Sequence, residues 1–216
     1  MFSKTDWLFY ETQAQNKGLR FILGVDEAGR GPLAGPVVAA AVCLRHTDFT
    51  NPINDSKKMS AKVREAAFFE IFEKAYVGIG IMNEKTIDSV NILNASHLAM
   101  EMAIKDLINR MPKDDTLQES FHKEVGLLID GNMFRTSLPY QYQAIIGGDG
   151  KSLSIACASI IAKVSRDRIL IVYDKVFPQY GFAKHKGYPT RDHRLAIKKY
   201  GTSIIHRKSF AGAGIL

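Results

Sequence analysis

The chain has few thiols to work with. Among its 216 residues only Cys43 and Cys157 are cysteines, far apart in small-residue apolar runs, with no Cys-x-x-Cys or Cys/His ligand spacing near either. A disulfide framework and a zinc site of ordinary spacing are excluded, and a reducing cytoplasm fits. No stretch approaches the ~18 uninterrupted apolar residues of a membrane span. The opening Met1-Phe2-Ser3-Lys4-Thr5-Asp6-Trp7 lacks the charged-then-apolar layout of an export signal. Internal repeats, low-complexity tracts and domain-length linkers are missing, and no Ser/His/Asp set suggests a nucleophilic triad. The expectation is a soluble, cytoplasmic, monomeric protein without a membrane partner, long enough to bury a sizeable core.

Acidic residues are scarce in one region only. Residues 1–150 carry 16 Lys+Arg against 19 Asp+Glu, a net of −3; residues 151–216 carry 13 against 3, a net of +10, which together give the chain its +7. A basic last third behind an acidic front suits a protein that grips a polyanion with one part and holds cations with another.

Hydrophobic periodicity alternates between the strand and helix repeats. The aromatic cluster Trp7-Leu8-Phe9-Tyr10 predicts a short helix packed on the body. Strands are expected at about 20–27 and 37–44, the second buried on both faces, and the two read as an antiparallel pair. Ser60 caps a helix to about Ala75. Tyr76 to Met82 alternates as a strand with its small residues outward. A helix from Asn91 to Arg110 carries Leu93, His97, Met100, Ile104 and Leu107 on its stripe, making His97 a hydrogen-bonded core residue. Pro112 ends it, and a mobile charged loop runs to Lys123. Residues 125–130 and 143–146 are strands, Ser152 opens a helix to about Val176, and Thr190 caps a basic helix through Lys199. This alternation indicates an α/β layer fold.

Carboxylates stand where three of these strands give way to glycine: Asp26-Glu27 before Gly29, Asp130 before Gly131, and Asp149 after Gly147-Gly148. Strand ends are where open α/β sheets present ligand-facing residues. Four acids converging there repel one another and raise one another's pKa unless divalent ions intervene. Hard oxygen donors select magnesium or manganese, and an ion pair so held suits phosphodiester hydrolysis. Neighbouring strand residues point to opposite faces, so the strand is expected to end or twist near Gly29, with Asp26 central and Glu27 approaching from the margin.

The segment Gly24-Val25-Asp26-Glu27-Ala28-Gly29-Arg30-Gly31-Pro32-Leu33-Ala34-Gly35-Pro36-Val37 closely resembles the N-terminal signature of the type 2 ribonucleases H, specifically the ribonuclease HII family. Asn54-Asp55-Ser56-Lys57, Ile129-Asp130-Gly131-Asn132, the run from Ala158 to Asp167 and the run from Tyr180 to Tyr188 match in order. The resemblance spans about residues 20–210. It implies a ribonuclease H-like mixed sheet flanked by helices, with a basic helical C-terminal part. The division expected is an extension over 1–18, a catalytic core over 19–178 and a basic region over 179–216 packed on it as one domain. It further implies Mn2+- or Mg2+-dependent cleavage of RNA in RNA/DNA hybrids and 5′ of single ribonucleotides in duplex DNA, leaving 3′-hydroxyl and 5′-phosphate ends.

By the same resemblance, Asp26, Glu27, Asp130 and Asp149 hold two ions, with Asp167 as the rival for the fourth place. Relatives often carry Lys-Gly-Asp where this chain has Gly147-Gly148-Asp149, so a phosphate contact is expected to be missing. Gly29-Arg30-Gly31 is implied to read the 2′-hydroxyl, the group that separates RNA from DNA, and Tyr188 to pack on the adjoining sugar. Lys57, Lys184 and Lys186 are expected phosphate contacts, while His206-Arg207-Lys208 extends the basic surface with no assigned role. A ribonuclease HIII-like enzyme and a non-catalytic hybrid-binding module are the rivals. The first lacks a Gly-Arg-Gly turn, and the second gains nothing from four clustered negatives.

Overall fold

A computed structural model of the chain describes residues 6–112 and 121–210. Strands β1 (Phe21–Ala28), β2 (Val37–Leu44), β3 (Ala75–Met82), β4 (Val125–Asp130) and β5 (Gln141–Ile145) form one sheet in the order β3-β2-β1-β4-β5. The helices are α1 (Phe9–Gln15), α2 (Ala61–Lys74), α3 (Glu84–Arg110), α4 (Phe121–Glu124), α5 (Leu153–Val176), α6 (Phe182–His185) and α7 (Arg191–Tyr200). β2 runs antiparallel to β1 and β3, whereas β4 and β5 run parallel to β1, so the sheet is mixed.

The unbroken apolar run of β2 has the predicted cause. Ala39 and Ala41 pack with Leu23 and Val25 against Ala99, Ala103 and Ile104 of α3, while Ala40 and Val42 pack on the other face against Ile71 of α2 and Ala158 and Ile161 of α5. A strand covered by helices on both faces has no side to leave polar. Cys43 and Cys157 are buried free thiols within these layers. No helix among the described residues is long and apolar enough to cross a membrane.

Helix starts follow the capping chemistry. Ser60, Ser152 and Thr190 accept from the backbone N–H groups of Val63, Ile155 and His193. α3 begins seven residues before the expected start, with Asn83 capping Thr86. The residue read as its start is an internal break: Asn91 has φ 67° and caps a second segment through Asn94 N–H at 3.1 Å.

Three other expectations are corrected. Gly78 and Gly80 of β3 face inward, because a Cβ on either would collide with the α3 backbone at Ala103 and Ala99; α3 lies too close for any side chain. β5 starts two residues early and Ile146, 71% exposed, falls in the following turn. The charged loop after Pro112 lies outside the described residues over 113–120, and Phe121–Glu124 forms a helical turn.

α1 is tied to the body by a carboxylate. Buried Glu11 accepts from Ser152 Oγ at 2.6 Å, Ser154 N–H at 2.9 Å and Ser154 Oγ at 2.7 Å, which places a negative charge on the N-terminus of α5. At the other end of α5, Tyr180, Phe182, Leu170, Ala196 and Ile205 form a separate apolar cluster holding α6 and α7.

Candidate active site

The β1–β4 ladder ends at Val25↔Ile129, so Asp26 and Asp130 are the next residues on neighbouring parallel strands, spaced about 4.8 Å apart by sheet geometry. β1 itself runs on, paired with β2 to Ala28↔Val38, and ends immediately before Gly29 as expected. Only its β4 side is released, because β4 stops at Asp130, and Asp26 and Asp130 stand side by side at that released edge.

Asp26 lies on the α5 side of the sheet, two residues from Gly24, where a Cβ would run into the α5 backbone at Ser154. Close approach of β1 and α5 brings the Ser159 hydroxyl near the carboxylate, where it acts to lower the Asp26 pKa. The Ser159 hydroxyl in turn meets Ser56 Oγ at 2.7 Å. That contact tethers the loop carrying Lys57 to α5 beside the central acid. Asp26 Oδ1 also accepts the Glu27 N–H at 2.7 Å. Glu27 is drawn to Arg30 at 3.4 Å, Asp130 Oδ1 accepts the Gly148 N–H at 2.7 Å, and Asp149 faces Lys57 at 3.5 Å.

Burial, then repulsion from Glu27 and Asp130, pushes the Asp26 carboxyl well above its ordinary range. Glu27 is raised by burial and by Asp130 against the pull of Arg30. Asp149 is raised by burial, Asp130 and Asp55 against Lys57. Burial acts downward on Lys57, but attraction to Asp149, Asp26 and Asp55 outweighs it. The acids therefore share one field short of positive charge. As the side chains stand, no three acid, imidazole or thiol groups among the described residues converge on one ion position. The all-oxygen donor set and its unmet demand for charge nevertheless fit a hard divalent cation.

The other expected site residues divide. Gly31 meets Tyr188: a Cβ built on the glycine would lie 3.8 Å from the ring. Lys163 stands over the same ring at 5.8 Å. Arg30 and Lys57 are beside the carboxylates, as above. Lys184 is 80% exposed and paired with Asp192 at 2.7 Å, and the Lys186 ammonium turns back to the Ala183 carbonyl. Neither reaches the acids in the present arrangement. Asp167 pairs with Lys163 one helical turn away at 2.8 Å.

Sequence reasoning missed Ser56, Ser159, Arg166 and Arg207. His206 and Arg207, expected on the basic surface, are buried at 2% and 0% exposure, because the arginine answers backbone carbonyls and the histidine joins a ring cluster. The signal for Arg166 was its place at four-residue spacing from Ala162 and Leu170 on the buried stripe of α5; Arg207 had none. His97 is buried as expected, edge-on to Phe134 at 5.8 Å, with Nδ1 unpartnered among the described residues.

A mixed sheet of this order with acids gathered at the ends of its central strands defines a ribonuclease H-like nuclease. Residues 23–213 match the family model described as Ribonuclease HII. The chain is 52% identical over 202 residues to the Ribonuclease HII of Acetivibrio thermocellus, covering 93% of this chain and 73% of that one. It is 48% identical over 195 residues to that of Magnetococcus marinus, covering 90% and 86%. In fold it is similar to the ribonuclease H2 of Pyrococcus horikoshii, with TM-score 0.67 and 24% identity over 90% of this chain and 95% of that one. It is likewise similar to the RNase HII in a PCNA complex from Archaeoglobus fulgidus, with TM-score 0.64 and 21% identity over 89% and 96%. The chain belongs to the ribonuclease HII family, and is a nuclease of the ribonuclease H type acting on RNA/DNA.

Proposed function

We propose that this enzyme hydrolyses the RNA strand of RNA/DNA hybrids and nicks on the 5′ side of single ribonucleotides in duplex DNA, leaving 3′-hydroxyl and 5′-phosphate ends. The observation that carries the reading is the meeting of Asp26 and Asp130 at one sheet edge, from which β1 continues directly into Gly29-Arg30-Gly31. Chemistry and ribose selection are thereby linked through a few residues of one strand. The working unit is the core over 19–178 with its extension over 1–18 and the basic region over 179–216, acting as a monomer in the cytoplasm.

Asp26, Glu27, Asp130 and Asp149 would hold the metal through carboxylate oxygens. A pair of magnesium or manganese ions bound there supplies Lewis-acid stabilisation to the attacking and leaving oxygens of an in-line displacement. The Glu27 N–H fixes the orientation of Asp26, and the Gly148 N–H fixes that of Asp130. Lys57 and Arg30, 79% and 52% exposed at the side chain, are free to leave Asp149 and Glu27 for substrate phosphates. Gly29-Arg30-Gly31 presents backbone to the 2′-hydroxyl, and Tyr188 supplies a flat apolar face for the neighbouring sugar. Lys184 and Lys186 contact phosphates farther along the duplex.

The test is digestion of a duplex containing one ribonucleotide, with Mg2+ and Mn2+ in turn and with chelator. The expected result is a chelator-sensitive nick 5′ of the ribonucleotide with 3′-hydroxyl ends, lost in Asp130→Asn. Tyr188→Ala should slow junction cutting more than hybrid cutting. Cleavage persisting in chelator, or a nick on the 3′ side, would remove the reading.

A further inference from the structure

Two arginines are buried beside the Gly29-Arg30-Gly31 turn, and neither faces a phosphate. Arg207, fully buried, donates from Nε to the Gly35 carbonyl at 2.9 Å, from Nη2 to Gly35 at 2.7 Å and Gly29 at 2.6 Å, and from Nη1 to the Arg30 carbonyl at 3.1 Å. Arg166, 1% exposed, donates to the carbonyls of Pro36, Ala34 and Lys186, each at 2.9 Å. The backbone repeats the attachment: Arg207 N–H donates to Leu33 and Gly35 N–H to Ile205. Gly29, at φ +103°, has no room for a Cβ, which would overlap the Arg166 guanidinium and lie 2.8 Å from the Pro36 carbonyl.

The direction of these bonds has a geometric consequence. None of the described peptide bonds is cis, and in a trans peptide the C=O and the following N–H point opposite ways. A guanidinium that draws the Gly29 and Arg30 carbonyls inward therefore turns the N–H groups of Arg30 and Gly31 outward. Both residues are exposed, and among the described residues neither N–H has a protein acceptor. Gly31 is also the residue against which Tyr188 lies.

We infer that Arg207 is the positioning residue for ribose recognition: by holding the Gly29 and Arg30 carbonyls it aims two backbone N–H donors at the 2′-oxygen of the substrate. The inference rests on the reading of Gly29-Arg30-Gly31 as the ribose-reading turn. Arg207 touches no reacting atom. Charge alone does not perform this task, because four bonds to three carbonyls need the planar fork of a guanidinium rather than the point charge of an ammonium. Arg166 supports the flanks of the same loop and ties it to Lys186, two residues before Tyr188.

The experiment compares kcat/KM on two duplexes that differ at one position, a single 2′-hydroxyl nucleotide or its 2′-fluoro analogue, for the wild type, Arg207→Lys and Arg207→Met. Fluorine accepts hydrogen bonds poorly, so the wild type should strongly prefer the hydroxyl. In Arg207→Lys that preference should fall about tenfold, the value of one misdirected hydrogen bond. A purely structural role would lower both rates together and leave the ratio unmoved, and an unchanged ratio in a folded variant overturns the inference. A wild-type ratio near one removes the ribose-reading turn itself, which separates that failure from the failure of Arg207. Should neither variant fold, amide hydrogen exchange on the wild type decides. The Arg30 and Gly31 amides should exchange freely in the enzyme alone and become protected by the ribonucleotide duplex but not by all-DNA duplex. Amides already protected in the free enzyme overturn the orientation claimed.

Discussion

Asp26 shows how a residue needed for chemistry works against the fold that holds it. The residue is 4% exposed, and its carboxyl is raised by burial and by two neighbouring acids. A carboxyl whose folded pKa exceeds the unfolded value near 4 lowers stability progressively as pH rises from the unfolded value toward the folded one, so a penalty is present at neutral pH and vanishes only as pH falls to about 4. Asp26→Asn keeps an oxygen for the Glu27 N–H while removing the charge. The variant should abolish cleavage yet gain on the order of 1–3 kcal/mol in stability at pH 7 without divalent ions, a rise of several degrees in Tm. Added Mn2+ should raise the Tm of the wild type and not of the variant. A lower Tm for Asp26→Asn in thermal melts would show that the carboxylate is stabilising. The residues of this chemistry were legible because acids beside glycine at strand ends break the apolar pattern. Ser159 and Arg207 were not, since a serine in a run of small helical residues and an arginine in a basic stretch look ordinary until their partners, distant in sequence, are known.

Elements were legible wherever the local code was complete. Three serine or threonine caps and the two-faced burial of β2 followed from neighbouring residues. The inward turn of Gly78 and Gly80 depended on how close α3 lies, and the β4 edge depended on which strand stops first, neither of which is a local property. The attachment of α6 and α7 is another nonlocal matter, settled by three imidazoles. Gly187 N–H donates to His185 Nδ1, so His185 Nε2 donates to the Tyr180 carbonyl at 2.8 Å. Ser203 N–H donates to His206 Nδ1, His206 Nε2 donates to His193 Nε2 at 3.0 Å, and His193 Nδ1 donates to the Tyr188 carbonyl at 2.9 Å. Every ring is used as both donor and acceptor, so each must be neutral. Burial pushes His193 and His206 down to about 4. A base whose folded pKa lies below its unfolded value near 6.5 contributes stability that is complete above 6.5 and is lost as pH falls toward 4. Thermal melts should therefore show the Tm falling between pH 7 and 5, and His193→Asn, which keeps a donor for the Tyr188 carbonyl, should flatten that fall. A profile equally steep in the variant would place the acid sensitivity elsewhere.

Across the whole molecule the charge asymmetry of the sequence divides into two uses. Of the 13 cations in residues 151–216, Arg166 and Arg207 are buried and answer carbonyls, which leaves 11 for the surface and for ion pairs. Arg191, Arg194 and Lys198 of α7 are exposed at helical spacing, on the element that the histidine cluster fixes beside Tyr188. A charged face held in place this way can meet the phosphates on either side of a scissile position without reading any base. Each phosphate neutralised adds about 0.9 to the slope of log K against log salt on duplex DNA. Replacing Arg191, Arg194 and Lys198 together by Gln should therefore weaken binding to hybrid and to all-DNA duplex alike, and should reduce the salt slope by about 3. The preference for a ribonucleotide over its deoxy counterpart should not change, because that is set at Gly29-Arg30-Gly31. A slope unaltered by the triple substitution, measured by titration across salt concentrations, would mean that α7 is a solvated face and that the duplex runs along another part of the surface.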